Sequence, residues 1–129
     1  PGEKPKVWIG GPSGAALRRT AEFGDGWTVV EYSASEVGDM RDRLMNAWTD
    51  YDREGAPEIS ARCRVHVGDG GEGMPEGAAT GDPDSVIDSL KAYADAGTTE
   101  LVVATGTDSL EEELEQIRRI GDEVIPAFE

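Results

Sequence analysis

Short runs of β-branched and aliphatic residues alternate along the chain with longer stretches in which apolar residues recur every three or four positions. That is the pattern of successive strand–helix units on a parallel sheet, and four such units are predicted. Val7-Trp8-Ile9 forms a short strand running into Gly10-Gly11, after which Ser13 can cap a helix carrying Ala16, Leu17, Ala21 and Phe23, with Gly24 as its stop. Gly26 to Val30 reads as the second strand. Ser33 and Glu36 then have capping-box spacing, and Val37, Met40, Leu44, Ala47, Trp48 and Tyr51 keep helical intervals until Gly55 and Pro57.

The third strand alternates strictly, with Ile59, Ala61, Cys63, Val65 and Val67 on one face and Ser60, Arg62, Arg64 and His66 on the other. Gly68 to Gly81 is rich in glycine and lacks a period, so a long mobile loop is expected there. Asp82 and Pro83 then open a helix with Val86, Leu90, Tyr93 and Ala94 on its buried stripe and Gly97 at its end. Leu101 to Ala104 forms the fourth strand. A last helix begins at Ser109 and Glu112, carries Leu110, Leu114, Ile117, Gly121 and Val124 on one face, and closes at Pro126.

Charge narrows the range of partners. Twenty-seven acidic residues against twelve basic ones give a formal net charge of -15, which repels phosphate backbones and anionic membrane surfaces. Neither nucleic acid nor a membrane is expected as a partner. Lys4, Lys6 and Lys91 are the only lysines, and so acidic a composition with so little lysine suggests a protein adapted to high salt. The single cysteine, Cys63, rules out an intramolecular disulfide, and no clustered zinc ligands accompany it. No apolar run approaches a membrane span or signal peptide, so a cytoplasmic location is the default expectation.

Candidate chemistry begins at Ile9-Gly10-Gly11-Pro12-Ser13, where a strand meets a glycine pair and then a capped helix. Backbone amides bared by the missing Cβ atoms, beside the positive end of a helix dipole, suit a phosphate group; a tight strand–helix turn explains the same residues without a ligand. Gly24-Asp25-Gly26 reads as helix termination and strand start rather than a ligand site. Cys63 falls on the aliphatic face of its strand, as an inert buried thiol would. Arg62, Arg64 and His66 lie on the opposite face, where an anion or substrate role and an internal ion-pair role both remain open.

Val7-Trp8-Ile9-Gly10-Gly11-Pro12-Ser13-Gly14-Ala15-Ala16-Leu17-Arg18-Arg19-Thr20-Ala21, followed by Phe23-Gly24-Asp25-Gly26-Trp27, resembles the luciferase-like monooxygenase family of flavin- and F420-dependent oxidoreductases. Gly81-Asp82-Pro83-Asp84-Ser85-Val86, Tyr93-Ala94-Asp95-Ala96-Gly97, Glu100-Leu101-Val102-Val103 and Val124-Ile125-Pro126 are similar to that family's closing units. The resemblance implies an α/β fold, the C-terminal half of a (β/α)8 TIM barrel with about four parallel strands alternating with helices, as one half-barrel domain over residues 1–129. It further implies FMN or coenzyme F420, a deazaflavin, held at the C-terminal ends of the strands with hydride transfer as the shared chemistry. By position, Gly10 and Gly11 match the glycines whose amides meet the cofactor phosphate, with Pro12 and Ser13 beside them, and the glycine-rich stretch falls where some members carry a lid loop.

At 129 residues the chain is about half the ~250 typical of a complete barrel. The family's first four units, which supply most contacts to the redox ring, have no counterpart, so no catalytic residue carries over and no metal ligand is expected. An open half-barrel exposes two strand edges and one sheet face. Cover is expected from a missing N-terminal half or from a second copy in a homodimer. The alternative is a non-catalytic half-barrel that self-associates or binds a phosphorylated small molecule.

Overall fold

A computed structural model describes residues 2–129. Five parallel strands alternate with four helices: β1 (Trp8–Gly10), α1 (Gly14–Phe23), β2 (Gly26–Val30), α2 (Ala34–Asp50), β3 (Glu58–Val67), β4 (Ala79–Gly81), α3 (Pro83–Asp95), β5 (Glu100–Ala104) and α4 (Leu110–Arg119). The four predicted strand–helix units are present, and the architecture is that of half a (β/α)8 barrel. β4 is additional: it ends the glycine-rich stretch, so Ala79–Gly81 is paired strand rather than loop. β2 and β5 flank the first part of β3, while β4 pairs with its last three residues, Val65 to Val67.

Register sorts the side chains into two faces. Trp27 opposes Ile59, and Val29, Ala61 and Leu101 form the next row; with Cys63, Val65 and Val67 they face the helices. Leu17, Ala21, Val37, Met40, Leu44, Trp48, Val86 and Leu90 close over them. Each fully buried aliphatic or aromatic side chain of this layer contributes roughly 1.5–3 kcal/mol. The core thus lies between the sheet and one layer of helices. The other face carries Trp8, Thr28, Arg62, Arg64 and His66, as the alternation predicts.

The predicted caps form. Ser13, Ser33, Asp82 and Ser109 each accept an N–H from the first turn of their helix, and Glu36 completes the box at Ser33. Helix ends depart more. Gly24 ends α1 in an extended conformation, φ -90°, not the left-handed one usual for a glycine stop. Space is the reason, since a Cβ there would come 3.0 Å from the Thr20 carbonyl oxygen. Arg53 satisfies that helix end, donating to the carbonyls of Ala21 at 2.8 Å and Gly24 at 2.9 Å while its guanidinium stacks 4.1 Å above the Trp48 ring. α2 stops at Asp50, before Gly55, and Tyr51 is exposed.

Five predicted apolar-face positions lie elsewhere. Phe23 is 68% exposed at the end of α1, and Ala94 faces solvent on α3. On α4 the stripe Leu110, Leu114 and Ile117 points outward, whereas Gln116, Ile120 and Val124 are buried. The reason is topological: β5 pairs only with β3, so α4 stands at the open side of the sheet with nothing packed beyond it. Gln116 bridges its inner side to β3, accepting the N–H of Val67 at 2.8 Å and donating to its carbonyl at 3.0 Å. After Arg119 the helix continues as a π turn, Ile120–Val124, and a 3-10 turn, Ile125–Phe128, that contains Pro126.

Candidate cofactor-phosphate site

β1 delivers Gly10-Gly11-Pro12-Ser13 to the C-terminal side of the sheet, where (β/α)8 enzymes place their chemistry. Gly11 has φ +114°, a conformation a side chain would strain. Its N–H is committed, donating to Thr28 O at 3.2 Å, and its carbonyl accepts Nε1–H of the fully buried Trp27 at 2.7 Å. Both interactions fix the turn from behind. Trp27 therefore acts as a post between the core and the loop, a role no local sequence signal reveals.

The donors that remain lie one residue further on. Ser13 Oγ takes the N–H of Ala16 at 3.1 Å and Ser13 O takes that of Leu17, leaving the N–H groups of Gly14 and Ala15 without an acceptor among the described residues. Two guanidiniums lie beside Gly14. A Cβ on Gly14 would stand 3.2 Å from an Arg43 nitrogen and 3.6 Å from an Arg18 nitrogen. Neither arginine forms an ion pair among the described residues, although the chain has more than two acids for each base. Sequence reading missed both: Arg18 falls on an ordinary helix face, and Arg43 reaches the turn from α2.

The other flagged residues are dispersed. Arg64 Nε meets Glu31 Oε1 at 2.7 Å, His66 Nε2 donates to the Asp69 carbonyl at 2.7 Å, and Arg62 is exposed. Glu31 follows the last residue of β2 and has φ 62°, an uncommon conformation for glutamate. Cys63 is buried, as expected, and burial pushes its thiol pKa up. Tyr93, whose own pKa is raised chiefly by burial, donates its hydroxyl to the carbonyls of Tyr32 at 2.7 Å and Gly77 at 2.8 Å. The glycine-rich stretch is thereby tied to the end of β2. Among the described residues no group of three or more histidine, cysteine or acidic side chains is placed to hold a metal. No helix of the described residues is long and apolar enough to cross a membrane.

No protein-family model matches the chain, and no curated protein sequence matches it. Solved structures do. Over 96% of its length the chain superposes on 51% of a coenzyme F420-dependent tetrahydromethanopterin reductase from Methanopyrus kandleri, with a TM-score of 0.75 and 15% identity. It superposes over its full length on half of an F420-dependent secondary alcohol dehydrogenase, TM-score 0.76 at 11% identity. A type II Baeyer-Villiger monooxygenase of the CAM plasmid of Pseudomonas putida, solved with FMN, gives 0.71 at 14% identity, with 96% of this chain on 49% of that one. The chain has the fold of half such an enzyme. It spans about half the length of these F420- and FMN-dependent proteins, and at this level of identity the likeness establishes fold.

Proposed function

We propose that the chain serves as the C-terminal portion of a luciferase-like, flavin- or deazaflavin-dependent oxidoreductase or monooxygenase and contributes the grip on the cofactor's phosphate. The supporting observation is the β1–α1 turn, where two unaccepted amides and two unpaired arginines meet at the positive end of a helix on the C-terminal side of a half-barrel. Gly10, Gly11, Pro12 and Ser13 frame that niche. Its donors are the N–H groups of Gly14 and Ala15 and the guanidiniums of Arg18 and Arg43, a set that suits a dianion. When bound, FMN or F420 would supply the hydride-transfer chemistry; this chain's residues bind and orient its phosphorylated end.

The reading includes a second half-barrel that covers the open sheet. Its docking surface would join the free edge of β5 to the stripe Leu110, Leu114 and Ile117, with Phe128 45% exposed near the chain's end. An N-terminal half of the same type, or a second copy of this chain, would supply four further strands. Fluorescence titration with FMN and with F420 tests the cofactor claim, with saturable quenching expected for at least one. A folded protein indifferent to both would favour the rival, a non-catalytic half-barrel that self-associates or binds another phosphorylated molecule. Native mass measurement then reports whether two copies assemble.

A further inference from the structure

Charge along the inner face of β3 is ordered. Near its start Glu58 pairs with Lys6, and Ser60 donates to Glu100 at 3.2 Å; Arg62, Arg64 and His66 follow toward its end. Two of these three are satisfied locally, Arg64 by Glu31 and His66 by the Asp69 carbonyl. Arg62 is not. Among the described residues its guanidinium forms neither an ion pair nor a hydrogen bond, in a chain with 27 acids.

Its cross-strand neighbours are aliphatic, and the acid that shares its cavity, Glu113 of α4, is engaged by the hydroxyls of Thr105 and Thr107. The register sets Val30 of β2 on one side and Val102 of β5 on the other, 48% and 43% exposed. This is the last inward-facing row that β2, β3 and β5 share, at the level where the strands end and where barrel enzymes hold substrate. The acid that directly follows β2, Glu31, has a left-handed backbone and is bonded to Arg64. Once this face is covered, an unpaired guanidinium between two valines would be costly, and a bidentate carboxylate would relieve it.

We propose that Arg62 receives the acidic group of the substrate and that the substrate is an organic acid with an apolar body, its carboxylate on the guanidinium and its aliphatic part against Val30 and Val102. The proposal rests on the inner face being the substrate side of the oxidoreductase described above, but not on the phosphate niche.

The test is amide NMR of the purified chain titrated with octanoate and, separately, with uncharged 1-octanol. Octanoate should shift the amides of Val30, Arg62 and Val102. Octanol should bind more weakly, and Arg62→Gln should lower octanoate affinity about tenfold or more while Arg62→Lys restores part of it. Arg118→Gln on the outer side of α4 serves as a neutral control, and circular dichroism confirms that each variant folds. Equal binding of acid and alcohol, undiminished octanoate binding by Arg62→Gln, or no octanoate response would overturn the proposal. FMN and F420 titrations of the same variant separate the claims: Arg62→Gln should keep any cofactor response of the wild type. A wild type blind to both cofactors yet responsive to octanoate would overturn the cofactor reading and with it Arg62's part in a redox reaction, while showing that Arg62 binds a carboxylate.

Discussion

Trp27→Phe removes the post that holds the glycine turn. The indole is fully buried, and its Nε1–H is the side-chain donor to the Gly11 carbonyl, at 2.7 Å. Replacing it with phenylalanine deletes roughly two ring carbons, about 1.6 kcal/mol at about 0.8 kcal/mol per buried carbon group. Losing the hydrogen bond from a part-buried carbonyl adds about 1 kcal/mol. A total loss of about 2 to 3 kcal/mol is expected. Urea unfolding followed by far-ultraviolet circular dichroism should show a lower midpoint with an unchanged slope. Because Gly11 is held from behind, its own N–H, which donates to Thr28 O at 3.2 Å, should also exchange hydrogen faster in the variant. A destabilisation below about 0.5 kcal/mol, within the range of an ordinary surface change, would refute the assignment of Trp27 as the link between core and turn.

Further predictions concern the rest of the chain. Gln116→Leu should cost about 1 to 3 kcal/mol by leaving the Val67 N–H without a partner, and hydrogen exchange at Val67 should accelerate; protection unchanged from wild type would contradict this. Asp82 accepts the N–H of Ser85 at 2.8 Å, and that bond holds its carboxyl below the ordinary value of 3.8. A depressed folded-state pKa stabilises above the unfolded value and ceases to do so as pH falls through the lower one, so Asp82→Asn and wild type should converge in stability below that range. A gap that widens in acid would contradict it. With a net charge of -15, the melting temperature should rise between dilute and molar sodium chloride, and a flat response would remove the self-repulsion argument.

Local features of this fold were legible in the sequence, and tertiary ones were not. The caps at Ser13, Ser33, Asp82 and Ser109 and the alternation of Ile59 to Val67 depend on residues close in the chain, and each takes its predicted place. Periodicity marked Leu110, Leu114 and Ile117 as an apolar stripe, but whether a stripe is buried depends on what packs against it, and α4 stands at the sheet's open side. Ala79–Gly81 carries little strand signal because it becomes a strand only through pairing with the end of β3. At the candidate site, Gly10 to Ser13 marked the place, whereas Arg43 arrives from another helix and Trp27 from the next strand. Glu31 gave no signal, since its left-handed backbone has no residue-type cue.

The central claim is that the β1–α1 turn grips a phosphate. The most direct measurement compares amide NMR shifts of Gly14 and Ala15 during titration with FMN, with F420 and with riboflavin, which lacks the phosphate. Saturable movement of both amides with FMN or F420 and little with riboflavin is the predicted result. Amides unmoved by both FMN and F420, or equal movement with FMN and riboflavin, would contradict it.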